Sequence, residues 1–533
     1  MKDFFNLFES RRFPLVFFTG LAVILLIHNN HISLWEQDEA AYAGFARRML
    51  STGDWLIPDY FWSVIHRKTP LHFWNIAMAY KLLGENNFVL RLSSALSIWL
   101  LYFGIYRIGR SFLGEQEIRT GLIVLSTSLL INSLGKIAVT DGTLLLFTTM
   151  SALFLIRHIS AGGSMLNTAA FWFSVSLAAL VKGPPVIIFI GFFSFLILIF
   201  HKERKRLFYL HPWFFLPLAM LPLFLWGRAA WERDNGVFVN WLLDWYVFWR
   251  FSGSMFGQTA PPGAYFLLIS VAFLPWLFAQ PMAWKEAIKE ASRKNEQYLL
   301  LLLWFVAAWL PFEFSPSKLP AYTAAAHIPF ALLLGRFIAR KQQRNFPSGW
   351  LLRIQLGLLC LITLAFPAAG FYLKLSWMFR LSCLIPALIL VFMMGRMMLS
   401  GTFNFGKISS LNLAFTLFLW VIVYGQIDPV KNAPERVGNY LAGRYSQVVV
   451  VNNEGHPPGL FVYAERSVGK AFLMTNADTL RMMASSMKNT GFILSARQWE
   501  MNRSISGFKL DTVISGQLTD RKDKASYYIA SRR

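Results

Sequence analysis

The protein has 533 residues, of which 55% are hydrophobic, 16% aromatic and only 15% charged, with a mean hydropathy of +0.45. Soluble globular proteins carry about 25% charged residues, so this composition excludes an ordinary soluble enzyme. Lys and Arg outnumber Asp and Glu by 51 to 28, but they stand in short clusters between apolar runs. This placement indicates cytoplasmic loops and lipid headgroups as partners, and no nucleic acid. Cys360 and Cys383 both lie in apolar runs, which argues against a thiolate metal cluster or a disulfide framework.

Apolar runs recur along most of the chain. The first, at 13–27, follows Arg11 and Arg12 and predicts a retained signal anchor with a cytoplasmic N-terminus. With the later runs it predicts about thirteen membrane spans. The segment Leu71–Leu83 is shorter and is predicted to be an interfacial or re-entrant helix. The later runs fall at 88–107, 120–134, 141–156, 168–181, 184–201, 213–229, 263–282, 298–312, 322–338, 350–372, 378–395 and 408–426.

The basic clusters select an orientation. About thirteen spans place most of these clusters in inward loops, as the positive-inside rule requires, and place the C-terminus outside. The outer face then collects the polar segments 31–70, 230–262 and 313–321. We therefore predict a multi-pass membrane protein, with polytopic α-helical architecture and a small C-terminal α/β domain on the outer face.

The composition changes near residue 428. We predict a transmembrane domain at 1–427, with juxtamembrane helices on the outer face at about 31–84, and a soluble outer domain at 428–533. Within the latter, helices are predicted at Pro434–Tyr445 and Ala477–Met487, the second opened by Asn476 and Asp478. Strands are predicted at Gln447–Val451, Leu460–Ala464, Ala471–Met474 and Gly491–Ser495.

Adjacent carboxylates stand out in the first outer segment. Ser33 and Glu36 form a capping-box pattern and Gly53 is a stop signal, so Asp38 and Glu39 are predicted in the first turns of a helix. Acids there stabilise the helix dipole in any protein, but at a membrane face they are also candidate catalytic groups.

Cations near the predicted lipid boundary are candidate phosphate ligands. His66, Arg67 and Lys68 precede Pro70, and Lys182 interrupts an apolar stretch at Gly183-Pro184-Pro185. Such groups either snorkel to headgroups or bind a ligand phosphate. Lys318 and Tyr322 share a short outer connection, and Asp141 is a lone acid at the mouth of a span. Carboxylates with several lysines suit transfer from a lipid-linked phosphate donor better than they suit a channel or a transporter.

Six motifs then carry a resemblance, in this order: Trp35–Glu39, Gly53–Pro58, Lys68–Leu71, Thr140-Asp141, Val181–Gly183 and Ser317–Tyr322. Together they resemble bacterial type C-fold glycosyltransferases related to 4-amino-4-deoxy-L-arabinose lipid A transferase and to protein O-mannosyltransferases. The likeness covers roughly residues 10–425. Departures are Ala41, where the aminoarabinose transferases tend to carry Arg, and Arg67, where they tend to carry an acid.

The resemblance implies an inverting transfer of a sugar from a polyprenyl-phosphate donor to an envelope glycolipid such as lipid A, at the periplasmic face. It also implies a bacterial inner membrane as the location, with the juxtamembrane helices and the small C-terminal α/β domain in the periplasm. The alternatives are a protein O-glycosyltransferase and, outside the enzyme class, a lipid-linked sugar transporter or flippase. Carried over by position, Asp38 would activate or orient the acceptor, and Asp141 is the second acidic position. No cofactor is predicted with certainty, a divalent cation is left open, and no protein metal site is assigned. The residues that would contact donor phosphate or substrate are Tyr42, Arg67, Lys68, Lys182, Lys318 and Tyr322.

Overall fold

The computed structural model describes residues 10–35, 37–61, 63–248, 259–341, 349–372, 377–400, 405–426, 433–451, 457–474, 477–505, 507–517 and 524–532. The chain forms two units. The first joins Met1–Ile27, Lys68–His72 and Arg91–Tyr424, and the second joins His28–Arg67, Phe73–Leu90 and Gly425–Arg533. The second unit therefore gathers the juxtamembrane segments and the C-terminal domain into one body.

Long apolar helices dominate the described part of the chain. Eight of them are long and apolar enough to cross a membrane, and the pair Glu115–Ser126 and Leu129–Lys136, bent by 69°, makes a ninth if it is counted as one span. This confirms a polytopic helical membrane protein. The eight helices are Asn87–Gly109, Thr140–Ala161, Met165–Lys182, Pro212–Asp234, Pro320–Lys341, Trp350–Tyr372, Arg380–Leu399 and Phe405–Gln426.

Several predicted spans are shorter or interrupted in the structure. Phe13–Leu26 and Pro184–Phe200 are apolar but shorter than a typical span of about 20 residues. The run at 263–282 is divided into Ala264–Ala272, a 3₁₀ turn at Leu274–Trp276 and the start of Gln280–Ser292. The figure of about thirteen spans stays a prediction. The remaining helical segments before the C-terminal domain are Asp38–Thr52, Val64–His66, Leu71–Leu83, Arg204–Leu210, Val237–Leu243, Asp244–Phe248 and Glu296–Glu313.

A close helix crossing lies in the core of the first unit. A Cβ atom placed on Gly335 would lie 2.4 Å from both Cα and N of Gly121. The helices Glu115–Ser126 and Ala324–Lys341 therefore pack backbone against backbone, which small residues permit. Large side chains such as Trp276 and Trp304 are also fully buried in the core of this unit.

The C-terminal domain contains one five-stranded sheet. Its strands are β1 (Gln447–Val451), β2 (Ala471–Met474), β3 (Thr490–Leu494), β4 (Phe508–Gln517) and β5 (Lys524–Arg532), in the order β2-β1-β3-β5-β4. The first three are parallel, whereas β5 runs antiparallel to both β3 and β4. The domain's helices are Ala433–Leu441, Pro458–Val468, Ala477–Ser486 and Ala496–Asn502.

Most of the elements predicted in this domain are confirmed, with one correction. The helices near 434 and 477 and the strands β1, β2 and β3 lie where the sequence predicts them. The predicted strand at Leu460–Ala464 is wrong, because these residues lie in the helix Pro458–Val468. Pro458 starts that helix and Gly469, at φ +77°, ends it. All five side chains are buried, so the run is apolar on every side and carries no helical period.

The start predicted for the juxtamembrane helix Asp38–Thr52 also needs a correction. It begins at Asp38 rather than directly after Ser33, whose hydroxyl instead donates a hydrogen bond to Glu435 Oε2 at 2.5 Å. Glu36, the other half of the predicted capping box, and Asn476 lie outside the described residues. The predicted stop is confirmed, because Gly53 ends the helix at φ +73°. Leu71–Leu83 is a helix with the predicted bounds.

Candidate active site

A cavity in the first unit contains three of the predicted site residues. Its volume is about 490 Å³ and its walls are mainly apolar. Asp141, Lys182 and Tyr322 supply polar groups to it. The other lining residues are Leu144, Pro185, Ile188, Tyr246, Pro311, Phe312, Phe314, Ser315, Pro316 and Ala321. An apolar cavity with a few convergent polar groups is a typical ligand site.

Lys182 and Asp141 form an ion pair at this cavity. Lys182 Nζ lies 2.6 Å from Asp141 Oδ1, and the exposed fractions of the two side chains are 8% and 18%. Lys182 is the last residue of the helix Met165–Lys182, and Gly183 at φ +70° separates it from the next helix. Asp141 lies in the first turn of Thr140–Ala161, where the helix dipole favours a carboxylate. The Lys182 ammonium also lies 5.8 Å from the centre of the Tyr322 ring.

Lys318 is held by its own loop. Its ammonium donates to the carbonyl oxygens of Glu313 and Ser315 at 2.6 and 3.1 Å, and it lies 5.1 Å from the centre of the Tyr265 ring. Lys318 is not among the residues that line the cavity, although its neighbours Ser315 and Pro316 are. In this conformation Lys318 stabilises the loop whose other residues form one wall.

Asp38 and Tyr42 meet in the second unit, together with a residue that the sequence analysis did not place there. Asp38 Oδ1 accepts a hydrogen bond from the Tyr42 hydroxyl at 3.0 Å and lies 3.0 Å from His66 Nδ1. The Asp38 side chain is 52% exposed, whereas that of His66 is only 10% exposed. The carboxylate thus faces outward from two groups that hold one of its oxygens.

Glu39 and Arg67, which are next to these residues in sequence, make contacts that stabilise the fold. Glu39 is fully buried, and its carboxylate accepts a hydrogen bond from the Trp35 amide at 2.8 Å. Arg67 forms an ion pair with Asp59, which also pairs with Arg48 at 3.5 Å. The catalytic role predicted for Glu39 and the phosphate-binding role predicted for Arg67 remain predictions.

Lys68 is buried in the first unit and acts on a neighbouring histidine. Burial, followed by the charge of the Lys68 ammonium, lowers the pKa of His72 to about 3. His72 Nδ1 lies 3.0 Å from the Thr143 hydroxyl, two residues beyond Asp141. His72 is therefore neutral at pH 7, and Lys68 adds positive charge to the unit that contains Asp141 and Lys182.

Two participants were not predicted in the places where they lie. His66 was predicted only as one of a run of candidate phosphate ligands, because nothing in the sequence pairs it with Asp38, 28 positions earlier. Tyr246, in a short π-helical turn at Asp244–Phe248, lines the cavity without any motif of its own. Among the described residues, no group of three or more His, Cys, Asp or Glu side chains is placed to hold a metal ion.

Comparisons with known proteins agree with the motifs. A family model described as dolichyl-phosphate-mannose-protein mannosyltransferase matches residues 67–227. The undecaprenyl phosphate-alpha-4-amino-4-deoxy-L-arabinose arabinosyl transferase 2 of Sodalis glossinidius is 27% identical over 360 residues, which is 65% of this chain and 63% of that protein. The corresponding transferase of Pseudomonas aeruginosa is 28% identical over 63% of this chain and 62% of its own length. The matched region thus spans somewhat less than two thirds of the curated relatives.

The structural comparison extends over nearly the whole chain. The crystal structure of ArnT from Cupriavidus metallidurans bound to undecaprenyl phosphate superposes with a TM-score of 0.78 at 16% identity, covering 98% of both chains. The apo form of that protein gives a TM-score of 0.75 over 97% of both chains. The predicted fold class is confirmed by this likeness. The protein has the fold of ArnT, and its resemblance to type C-fold glycosyltransferases related to protein O-mannosyltransferases is confirmed.

Proposed function

We propose that this protein is a membrane glycosyltransferase that moves a sugar from a polyprenyl-phosphate donor to an envelope glycolipid such as lipid A. The observation that carries the proposal is the cavity of about 490 Å³, apolar along its walls and bearing the Lys182–Asp141 pair. Apolar walls suit a polyprenyl chain and a lysine suits its phosphate. The relatives named for aminoarabinose transfer support this donor class.

The proposed step is a single displacement with inversion. An acceptor oxygen forms a bond to the anomeric carbon of the sugar while the bond from that carbon to the phosphate oxygen breaks. Polyprenyl phosphate leaves with the electron pair, and Lys182 stabilises its charge. Where the acceptor is a hydroxyl, its proton passes to the Asp38 carboxylate, which is half exposed. With a phosphate acceptor that is already ionised, Asp38 orients the acceptor instead.

Lys182 must change partners for this step. In the structure its ammonium is paired with Asp141 at 2.6 Å, and a donor phosphate would compete for the same charge. Asp141 is therefore proposed to hold Lys182 at the cavity until the donor enters. Transfer of a hexosyl or a pentosyl group, residence in a bacterial inner membrane and a cytoplasmic N-terminus belong to the same proposal.

A protein acceptor is the second candidate. The family model that matches residues 67–227 is described as a protein mannosyltransferase, and that observation favours a hydroxyl acceptor on a polypeptide. The two candidates share the polyprenyl-phosphate donor class, the fold and the displacement reaction. They differ only in the acceptor that receives the sugar.

The test is transfer of radiolabelled sugar by the purified protein in lipid nanodiscs. The donors are a panel of undecaprenyl-phosphate sugars, and the acceptors are lipid A and an envelope protein fraction, with and without EDTA. Label in lipid A that falls at least about tenfold in Lys182→Met supports the proposal. The matched control is Lys202→Met, because the Lys202 side chain is 71% exposed. Label in protein selects the second candidate, and no transfer from any donor overturns both.

A further inference from the structure

His66 lies behind the Asp38 carboxylate. The His66 ring is held by the single 3₁₀ turn Val64–His66, whose last amide donates to the Ser63 carbonyl oxygen at 3.0 Å. Its side chain is nearly buried, whereas half of the Asp38 side chain is exposed. Since an ionised carboxylate only accepts hydrogen bonds, His66 Nδ1 donates to Oδ1 at 3.0 Å.

A second donor contacts the same oxygen. The Tyr42 hydroxyl donates to Asp38 Oδ1 at 3.0 Å, and the Tyr42 ring is itself 1% exposed, packed 5.0 Å from the Phe73 ring centre. Two donors fixed by burial restrict the rotation of the carboxylate about its Cβ–Cγ bond, which a single exposed helix-terminal Asp does not experience.

The neighbouring cations are directed elsewhere. Arg67, the next residue, pairs with Asp59, and Arg48 pairs with the same carboxylate. His66 itself contacts the Asp38 carboxylate. The run His66-Arg67-Lys68 therefore does not act as one uniform cationic patch.

We propose that His66 is a positioning residue for the transfer reaction, which uses its Nδ1–H to fix Asp38 Oδ1 and so to orient the carboxylate for the acceptor. The proposal rests on the proposed function, since it concerns the carboxylate assigned to the acceptor. His66 acts through Asp38 and needs no contact with the donor. Misplacement of a catalytic group by about 1 Å can lower turnover about 100-fold.

The experiment compares two amides at position 66. In His66→Asn the amide nitrogen lies near the position of the imidazole Nδ1, whereas in His66→Gln it lies near Nε2. The expected result is a kcat for His66→Asn within about threefold of wild type and a kcat for His66→Gln lowered about 10- to 100-fold, with KM for the donor unchanged in both. His31→Asn is the matched control, because His31 is exposed in the same unit. Equal loss in the two amides, or loss in neither, overturns the proposal.

A double-variant cycle separates positioning from a general structural role. In an Asp38→Asn background, His66→Gln should lower the residual transfer by less than about twofold, because its effect passes through the carboxylate. If His66→Gln lowers transfer in the Asp38→Asn background by as much as it does in wild type, the proposal is overturned. It is also overturned if the loss of transfer in His66→Gln is accounted for by a lower thermal unfolding midpoint.

A measurement that needs no substrate tests the positioning role of His66 independently of the proposed function. Water-soluble carbodiimide activates protonated carboxyls, and loss of a donor to a carboxylate favours its protonated form. Faster labelling of Asp38 in His66→Gln but not in His66→Asn, read by mass spectrometry, supports the positioning role even if wild type transfers no sugar. Equal labelling rates in all three proteins overturn it.

Discussion

Lys182 Nζ and Asp141 Oδ1 lie 2.6 Å apart, although the two residues are 41 positions apart along the chain. Both side chains are largely buried, so each charge is compensated mainly by the other. Removal of one partner from a buried pair costs about 3 to 5 kcal/mol, whereas removal of both costs much less. The contribution of each residue to stability therefore depends on the presence of the other, and this coupling can be measured without any substrate.

We expect Lys182→Met to lower the thermal unfolding midpoint more than the double variant Lys182→Met/Asp141→Asn does. Unfolding can be followed in detergent with a thiol-reactive dye, because Cys383 is buried in the folded protein. The control is Lys202→Met, which should leave the midpoint unchanged. A double variant that is less stable than both single variants would contradict the ion pair.

The helix crossing at Gly335 makes a steric prediction. A Cβ at this position would meet the Gly121 backbone at 2.4 Å, which is backbone that does not yield readily. Gly335→Ala should lower the free energy of unfolding by about 1 to 3 kcal/mol. Gly357→Ala is the control, since its Cβ would meet nothing within 4 Å, and it should be neutral or stabilising by up to about 1 kcal/mol. The same dye assay compares the two, and equal midpoints would refute the close crossing.

His72 predicts loss of stability in acid. Its helix, Leu71–Leu83, is not among the helices long enough to span a membrane. Its pKa is lowered from 6.5 to about 3, chiefly by burial, so the unfolded chain binds the proton more readily than the folded one between these pH values. The contribution of neutral His72 to the free energy of unfolding is therefore complete above about pH 6.5, and it is lost as the pH drops towards 3.

The variant His72→Gln removes this titration while keeping a polar group near Thr143. We expect its unfolding midpoint to depend less on pH between about 6.5 and 4.5 than that of wild type. His31→Gln, at an exposed position, should retain the wild-type slope. The same slope in His72→Gln as in wild type would show that other groups carry the acid sensitivity.

Arg466 links the C-terminal helix Pro458–Val468 to the juxtamembrane residues of the second unit. Its guanidinium donates to Glu85 Oε1 at 2.8 Å, to Asn87 Oδ1 at 2.6 Å and to the Tyr80 hydroxyl at 2.8 Å. A lysine ammonium cannot reproduce this fork, because it is a single point charge. Arg466→Lys therefore leaves buried polar groups unsatisfied, at a cost of about 2 to 4 kcal/mol.

Hydrogen exchange followed by mass spectrometry measures this loss. Amides of Pro458–Val468 should exchange at least about 30-fold faster in Arg466→Lys, since each 1.4 kcal/mol corresponds to about tenfold. Arg503→Lys is the control, because Arg503 is 63% exposed and pairs with Glu500, three residues earlier. Exchange rates that match wild type would mean that the fork contributes little to docking this helix.

The elements predicted correctly from the sequence are those that residues close together in the chain determine. The β-branched run Gln447–Val451 is a strand, and Leu71–Leu83 is a helix with the predicted bounds. Gly53 ends a helix because it adopts φ +73° at no steric cost. Leu460–Ala464 failed because a short run that is apolar on every side fits a buried strand or a buried helix equally well.

Composition determined that this chain lies in a membrane, because too few charged residues are present to cover a soluble protein of this length. Motif order determined the resemblance to type C-fold glycosyltransferases. Only the tertiary structure decided which side chains meet: Lys182 with Asp141, and Asp38 with His66. The physical reason is that such contacts depend on how helices pack, and sequence spacing specifies neighbours only within about one helical turn.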